Sequence, residues 1–410
     1  MPKNRPRCHC GGDMKRNGTT SKGTTRWRCK ACGASSIKRR PDVTNARIFA
    51  DFIEHCTTTI SLTALAKRNK VSHSTMKRRF TWCWLIDVPD PTVAHKGRVY
   101  DQIFLDGTYT AGGCLIVAST LDHVVAWHWC KHETAPDYTR LLERIPAPLI
   151  ATTDGGKGTA SAIKTCWSTT HVQRCLVHAQ RVVRRYTTSR PRTDAGKAIY
   201  TLALKLTRVR TTEDIAHWSS LLHDFNTVYR RWMDEKTRVK DPDTGNWTWV
   251  WTHSNVRKAY NSLNHLWRQG MLFVYINQPK GVLEPDRIKS TTNSLEGGIN
   301  ARLKEIARAH RGRTNEHQRK MLDWWLYLKT ELPDDPLQIA RQSHWGQDQL
   351  AKVSFLTHTE NQVDHETGRP ALYDNGIDTE YTHSIGIQRL KGHFVWINRY
   401  GFPGRTGIML

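Results

Sequence analysis

The middle of the chain contains two short apolar runs, and each of them ends in an Asp-Gly pair. Residues 99–105 lead to Asp106, and residues 148–153 lead to Asp154. A continuous apolar run of this length that stops near glycine is typical of a buried strand. Asp-Gly is also a common turn dipeptide, so either pair alone predicts no more than a turn. Together they predict two core strands that place a carboxylate at, or just beyond, a strand end.

Further strand and helix patterns surround these two runs. Residues 114–121 and 124–130 are β-like and predict a three-stranded meander with the first run. A helical pattern at 136–145 leads to the second run, and a helix at 159–167 and a strand at 171–173 follow it. Three strands, a helix and a strand are the opening of an RNase H-like core. We therefore predict a mixed α/β fold with such a core.

Residues 41–87 have helical periodicity, which divides into helices at 45–56, 61–69 and 75–85. This arrangement predicts a helix-turn-helix unit whose third helix reads DNA. Three adjacent basic side chains remain on the outside of that helix, and the pattern assigns them to DNA contact: Lys77, Arg78 and Arg79.

A long basic region follows the core strands. Residues 180–285 have mainly helical patterns, interrupted by a turn at 241–245. After this turn Trp247, Trp249 and Trp251 occupy every second position, which predicts a short strand with one aromatic face. We therefore expect a mainly helical region that carries one aromatic strand.

The stretch 290–300 then leads into a basic helix. One apolar face of this helix is formed by Leu295, Ile299, Leu303 and Ile306. Glu296 lies beside that face. Asn293 and Glu296 also have the spacing of a helix capping box, which is an alternative explanation for the glutamate. A last amphipathic helix is predicted at 315–328, and the polar tail beyond 333 has strand patterns only near 394–400.

The net charge and the hydropathy of the chain limit the classes of partner and the cellular location that we expect for this protein. Lys and Arg total 62 and Asp and Glu total 37, which gives a formal net charge of +25. Such an excess predicts a polyanionic partner, most simply nucleic acid. No apolar run is long enough to cross a bilayer, and no signal-like segment follows the basic N-terminus. We therefore expect a cytoplasmic protein without a membrane partner, associated with the nucleoid if the source is bacterial.

Four of the ten cysteines cluster near the N-terminus. Cys8 and Cys10 form one glycine-flanked knuckle, and Cys29 and Cys32 form a second. Two knuckles separated by a hairpin-like segment predict a zinc ribbon with four thiolate ligands. The first knuckle is C-x-C, one residue shorter than usual, which leaves two alternatives: a strained site, or a site in which His9 replaces one thiolate.

Carboxylates at the ends of two core strands suit a hard divalent cation. Magnesium binds through one or two protein carboxylates together with substrate phosphates. The residues therefore favour a magnesium site at Asp106 and Asp154.

Four short motifs occur in a fixed order along the chain. They are Asp106-Gly107-Thr108-Tyr109, Thr153-Asp154-Gly155, Gln173-Arg174-Cys175-Leu176-Val177-His178 and Thr291-Thr292-Asn293-Ser294-Leu295-Glu296. Over about residues 8–330 this set resembles bacterial insertion-sequence transposases of the Mutator-like superfamily, in the branch with an N-terminal zinc ribbon. The departures are the short first knuckle and the C-terminal tail.

The resemblance implies a DDE transposase that binds terminal inverted repeats of double-stranded DNA and catalyses metal-dependent strand cleavage and strand transfer. It implies that Asp106, Asp154 and Glu296 are catalytic ligands of Mg²⁺ or Mn²⁺ in an RNase H-like core with a helical insertion. It also implies a homo-oligomer on DNA. The family's C/D-x-x-H motif falls on Cys175 and His178, either as a second metal site or as packing and hydrogen-bonding neighbours of the active site.

These patterns divide the chain into six predicted segments. They are a zinc ribbon at 1–40, a helix-turn-helix unit at 41–90, the core at 97–180 and 286–332, a mainly helical insertion at 181–285, and a tail at 333–410. Two other functions remain open: a DNA-binding regulator with an inactive core, and an RNase H-like nuclease that does not join strands.

Overall fold

The computed structural model describes residues 6, 8, 10–21, 23–37, 41–93 and 97–350, and the backbone of the strands Ile387–Leu390 and His393–Trp396. The fold in these ranges is mixed α/β, as predicted. The chain divides into two units, Met1–Phe80 with Asp87–Pro336, and Thr81–Ile86 with Leu337–Leu410.

Three short antiparallel strands form the N-terminal sheet in the order β1-β2-β3. They are β1 (Met14–Thr19), β2 (Thr25–Cys29) and β3 (Ser35–Ile37). The buried apolar residues of this sheet are only Cys8, Met14, Trp27 and Cys29 among the described positions. Such a small core contributes little hydrophobic stabilisation, so a cross-link or a metal is expected to complete it.

Three helices follow, α1 (Pro41–Thr57), α2 (Leu62–Arg68) and α3 (His73–Phe80). Ser61 caps α2, because its hydroxyl accepts the Ala64 N–H at 3.1 Å. The predicted third helix, 75–85, is wrong at its end, since α3 stops at Phe80 and Trp82–Leu85 is a separate 3₁₀ turn. The run Thr-Trp-Cys-Trp that follows Phe80 consists of weak helix formers, which favours this break.

A five-stranded sheet forms the centre of the larger unit. Its strands are β4 (Gln102–Thr110), β5 (Gly113–Ser119), β6 (Val124–Cys130), β7 (Ile150–Thr153) and β8 (His171–Arg174). They lie in the order β6-β5-β4-β7-β8. The first three are antiparallel, as the predicted meander requires, and β7 and β8 run parallel to β4.

Each face of this sheet is covered by helices. Ile103 and Leu105 pack on α4 (Ala135–Leu142) and α5 (Lys157–Cys166), in a core that includes Tyr138 and Trp167. On the other face, α11 (Asn315–Tyr327) holds β6, because Asp323 accepts hydrogen bonds from the indole N–H groups of Trp127 and Trp129.

The position of Asp106 differs from the prediction. It lies inside β4, where it pairs with Val117, and the strand continues to Thr110. The residues after Gly107 are Thr, Tyr and Thr, which favour strands, so the Asp-Gly pair does not form a turn. Gly107 instead leaves space for Glu133, whose carboxyl carbon would lie 2.4 Å from a Cβ there.

The region after β8 is mainly helical, as predicted. Its helices are α6 (Leu176–Thr187), α7 (Asp194–Lys205), α8 (Thr212–Met233) and α9 (Ser254–Arg268). They share one apolar core that includes Val183, Ile199, Trp218, Phe225 and Leu263. The predicted aromatic strand is confirmed as β10 (Trp247–Trp251), which pairs with β9 (Lys236–Lys240).

The chain then returns to the sheet through a turn of π-helix, Leu295–Asn300, that continues into α10 (Ala301–Ala309). After α11 come α12 (Pro336–Gln342) and the antiparallel pair β11 (Ile387–Leu390) and β12 (His393–Trp396). Of the strand patterns expected near 394–400, residues 397–400 lie outside the described part. No described helix combines the length and apolar character needed to cross a membrane.

The buried side chain of Gln102 joins β4 to the segment before the π-helix. Its Nε2 donates to Thr152 Oγ1 and to the Lys289 carbonyl, both at 2.7 Å, and its Oε1 accepts the Lys289 N–H at 2.9 Å. These bonds fix the start of the chain that carries Glu296.

We predict that Gln102→Leu destabilises the protein by about 1–3 kcal/mol, because the Lys289 backbone loses both partners. Urea unfolding measures the decrease in the free energy of unfolding. Faster hydrogen exchange at the Lys289 amide would show that the structure opens locally at this contact. Gln269→Leu, at an exposed position at the end of α9, is the control. Unchanged exchange at Lys289 in Gln102→Leu would contradict the role of this contact.

Candidate active site and metal centre

Asp106 is held inside the sheet by a neighbour from the π-helix. The Asn300 side-chain amide donates to Asp106 Oδ2 at 2.7 Å. The pKa of Asp106 is raised to about 7, first by burial and then by the negative charges of Asp154 and Glu296. Asp154 and Glu296 are therefore close enough to Asp106 to oppose its ionisation.

Asp154 follows β7 directly, as the sequence predicts. Its Oδ1 accepts the Gly156 N–H at 2.9 Å. Gly155 has a φ of +82°, and a Cβ there would lie 1.8 Å from Nη1 of Arg174. Only glycine fits this turn, both for its backbone conformation and for the guanidinium that covers it. Burial lowers the pKa of Arg174, while the Asp154 charge acts to raise it.

Glu296 lies in the π-helix and has three polar neighbours. Thr292 Oγ1 donates to its Oε1 at 2.8 Å, His178 Nδ1 lies 3.6 Å from Oε1, and Arg181 Nη1 lies 3.4 Å from Oε2. Asn293 is already helical, so the predicted Asn293–Glu296 capping box is replaced by the contact with Thr292. A π-helical turn is rare and is found preferentially at functional sites.

Cys175 and His178 lie next to Glu296 at the start of α6. Cys175 is fully buried, and both the N–H and the hydroxyl of Thr292 donate to its sulfur at 3.4 Å. Burial raises the pKa of Cys175, but hydrogen bonds from His178 and Thr292 outweigh it, so the pKa is lowered. The bond to Cys175 raises the pKa of His178, and Glu296 adds to this. The two side chains therefore shift each other's pKa toward the charged forms.

The ligand atoms of Cys175, His178 and Glu296 all lie within 4.8 Å of one another, so this group could hold a metal ion. The predicted alternatives for the C-x-x-H motif thus both have a geometric basis. One ligand is shared with the acidic site, and three protein ligands do not close a tetrahedral structural site.

The chemistry of the acidic site fits a hard cation. Asp106, Asp154 and Glu296 offer carboxylate oxygens, and the buried Asn300 Oδ1 has no hydrogen-bond partner among the described atoms. The three acids do not form, within the described residues, a group whose oxygens all lie within 4.8 Å.

Several residues at this site were not predicted as site residues. Asn300 lies four positions after Glu296, so both side chains come from adjacent turns of one helix. The sequence feature that could have identified Asn300 is a polar residue next to the apolar face of a predicted helix. Arg181 has a sequence signal only as part of a basic region. Glu133, which accepts a hydrogen bond from the Tyr138 hydroxyl at 2.9 Å, adds negative charge near Asp106 and had no signal.

The four N-terminal cysteines converge as predicted. Their sulfurs all lie within 4.8 Å of one another, with Cys8 and Cys32 at 3.4 Å and Cys10 and Cys29 at 3.5 Å. Tetrahedral zinc–thiolate bonds of about 2.3 Å imply sulfur separations near 3.8 Å, so this cluster could hold a metal and is consistent with a zinc site. The C-x-C knuckle therefore reaches the cluster without a ligand from His9, which lies outside the described residues.

The pKa values of two cysteines in this cluster are shifted in opposite directions. The Cys32 N–H holds the pKa of Cys29 at about 6. The Ala34 N–H lowers the pKa of Cys32, but contacts with the sulfurs of Cys8, Cys10 and Cys29 outweigh it and raise the pKa to about 12. A metal ion at this position would favour the thiolate form of Cys32, because metal binding requires deprotonated ligands.

The predicted DNA-contacting residues lie on α3. Lys77 and Arg78 are exposed and Arg79 is half-buried, while Met76 and Phe80 are buried on the same helix. This amphipathic arrangement agrees with the predicted pattern; DNA contact by these residues stays a prediction.

The comparisons with known proteins identify no family for this chain, so a functional assignment rests on the geometry of these sites. No protein-family model matches the chain, and no curated protein matches it.

We predict that the purified chain contains one zinc ion and that Cys32→Ser loses it, because three thiolates leave the tetrahedral site open. Metal analysis after dialysis measures the ratio. Cys166→Ser changes a half-buried cysteine outside the cluster and is the control. Full zinc retention by Cys32→Ser, or its absence from the natural chain, would contradict the assignment.

We also predict that Asp106→Asn stabilises the metal-free protein at pH 8 but not at pH 4. A carboxyl pKa of about 7, in place of the ordinary 3.8, means that the native state holds its proton more tightly than the unfolded state. Stability therefore falls as pH rises from about 4 to 7, by up to about 4 kcal/mol for this group.

Thermal unfolding in a chelating buffer at both pH values measures the difference. Added magnesium should raise the stability of the natural protein more than that of Asp106→Asn, because the cation offsets the charges. A variant that is no more stable than the natural protein at pH 8 would show that Asp106 ionises without penalty.

Proposed function

We propose that the protein is a DDE transposase of a bacterial insertion sequence, with the features of the Mutator-like superfamily. The observation that carries the proposal is the approach of three acids that are far apart in sequence: Asp154 and Glu296 both raise the pKa of Asp106. Such a group on a strongly basic protein favours metal-dependent chemistry on a phosphodiester.

The topology of the central sheet supports an RNase H-like core. Three consecutive antiparallel strands are followed by two parallel strands, added beside the first strand, which is the arrangement expected of that fold. The helical region from α6 to α9 separates Asp154 from Glu296, as the family resemblance implies for an insertion.

We propose magnesium, or manganese in its place, as the cofactor held by Asp106, Asp154 and Glu296. When bound, a pair of such ions would supply electrophilic stabilisation of the attacking and leaving oxygens of the phosphodiester. Asn300 orients Asp106 through its amide, and Thr292 orients Glu296 through its hydroxyl. These contacts fix two of the three ligands from one helical segment.

His178 and Arg181 are positioning residues for Glu296 in this proposal. Both lie within 4 Å of its carboxylate, Arg181 as a cation and His178 as a cation when protonated. They balance the charge of the acidic site before DNA and metal arrive, and Arg181 is exposed enough to contact a phosphate afterwards. Cys175 supports this arrangement through its bond to His178.

DNA binding is proposed for the N-terminal part and the basic surface as a whole. The net charge of +25 favours any double-stranded DNA, and Lys77 and Arg78 lie on the exposed side of α3, where a reading helix would need them. We propose that the protein binds element ends and target DNA as a homo-oligomer.

We predict that Asp106→Asn, Asp154→Asn and Glu296→Gln each reduce cleavage of a terminal-repeat DNA by at least about 100-fold. Each change removes electrostatic stabilisation of the transition state, and one such group is commonly worth that factor. DNA affinity should change less than about threefold, because no phosphate-binding residue is lost. Cleavage is measured on labelled DNA with added magnesium, and affinity by a gel shift.

Glu305→Gln, an exposed position on α10, is the control for the loss of a carboxylate. Near-normal cleavage by Glu296→Gln would contradict the role of the third acid. A pre-cleaved end separates two enzymes: strand joining indicates a transposase, and hydrolysis without joining indicates a nuclease. No cleavage by the natural protein under any divalent ion would favour a DNA-binding regulator.

A further inference from the structure

The hairpin β9–β10 is exposed along its whole length. Every residue of Lys236–Lys240 and of Trp247–Trp251 is exposed. An isolated two-stranded ribbon is only marginally stable in water. A cluster of exposed tryptophans is unusual on a protein surface and commonly marks an interaction site. Trp247 and Trp249 are 57% and 66% exposed. Such a feature indicates a binding role.

The register of the hairpin places a cation opposite each tryptophan. Trp247 pairs with Lys240, Trp249 with Arg238 and Trp251 with Lys236, so all six side chains share one face. We call this set the Trp/basic face. The opposite face carries the pairs Thr248–Val239 and Val250–Thr237, without charge or large aromatic rings.

Contacts at the base of the hairpin hold the Trp/basic face in place. Lys236 Nζ lies 4.5 Å from the ring centre of Trp251, and Arg257 Cζ from α9 lies 3.9 Å from it. Trp232 stacks on His253 with ring centres 3.5 Å apart, which joins the end of α8 to the start of α9. The tryptophans nearer the tip are thus presented from a fixed base.

We propose that the Trp/basic face binds single-stranded DNA by stacking unpaired bases on the indole rings of Trp247 and Trp249, whereas the ring of Trp251 is occupied by Lys236 and Arg257. Alternate residues of a strand are roughly 6.8 Å apart. Stacked bases repeat at about 3.4 Å, so two neighbours separated by one inserted ring are also about 6.8 Å apart. The spacing of Trp247 and Trp249 therefore matches consecutive bases with a ring between them. Lys240 and Arg238, which pair with these residues, supply positive charge for phosphates, and Arg238 Cζ lies 5.5 Å from the ring centre of Trp247.

The positive charge of the Trp/basic face favours single-stranded DNA over a protein as its partner. An apolar protein partner would cover Lys236, Arg238 and Lys240 without compensating their charge, whereas a nucleic-acid strand supplies both rings and phosphates. A duplex would have to open its base stack to admit the rings. The inference goes beyond the proposed catalysis and does not depend on it, because it concerns binding without divalent ions.

The test uses the full chain carrying Glu296→Gln, without added magnesium or manganese and without chelator, so that cleavage plays no part and the cysteine cluster keeps its metal. Fluorescence anisotropy measures the affinity for a 20-mer of dT, for an abasic 20-mer with the same phosphates, and for a duplex. We expect dT to bind more tightly than the abasic strand. Trp247→Ala/Trp249→Ala should lose roughly 25-fold or more of the dT affinity, about fivefold or more for each ring.

Three comparisons make the result specific. Val239→Ala/Val250→Ala, on the opposite face of the same hairpin, should bind dT as the natural protein does. Trp247→Phe/Trp249→Phe, which keeps planar rings, should retain most of the affinity. Duplex and abasic affinities should change less than about threefold in all these variants, because phosphate contacts elsewhere remain.

Unchanged dT affinity in the double alanine variant would overturn the proposal. Equal losses on dT, abasic strand and duplex would also overturn it, since they would show charge binding without base stacking. A loss confined to a 20-mer of rU would reassign the face to RNA, whereas equal losses on rU and dT support stacking on either strand. Tryptophan-dependent binding to anionic lipid vesicles, without a dT effect, would assign the face to a membrane surface.

Discussion

The structure of the acidic site depends on the repulsion between carboxylates that the fold brings together. Burial and two neighbouring charges move the pKa of Asp106 to about 7, and the surroundings supply only partial compensation. Asn300 donates to Asp106, and His178 and Arg181 approach Glu296. A fold that keeps such a group at a cost in stability is expected to gain it back when a cation binds, which links metal, folding and function.

Backbone conformation, more than side-chain identity, makes this site possible. Gly107 leaves room for Glu133 beneath the strand, and Gly155 leaves room for Arg174 above the turn. The π-helical turn brings Glu296 and Asn300 to the same site from one segment. Gln102 fastens that segment to the sheet, so the third acid is positioned by a contact between β4 and a chain almost two hundred residues away.

The N-terminal sheet and the β9–β10 hairpin are both small β units, and each is stabilised by a different means. Each is too small to bury a core of its own. The first gathers four thiols that could hold a metal ion. The second is held at its base by cation–π and ring-stacking contacts and leaves two tryptophans in solvent. In both, the residues that stabilise the unit locally are among those for which a binding role is proposed.

The sequence by itself determined the mixed α/β class, the meander, the helical region, the aromatic strand and the two cysteine knuckles, because periodicity and short spacings are local properties. It misplaced the end of α3 and read Asp106 as a strand end, since a Gly beside Asp signals a turn unless a partner strand continues past it. Only the tertiary structure decided that Asn300 contacts Asp106, that Arg181 contacts Glu296 and that Glu133 lies near Asp106. Their contacts join segments distant along the chain, and no local pattern encodes which distant side chains will meet.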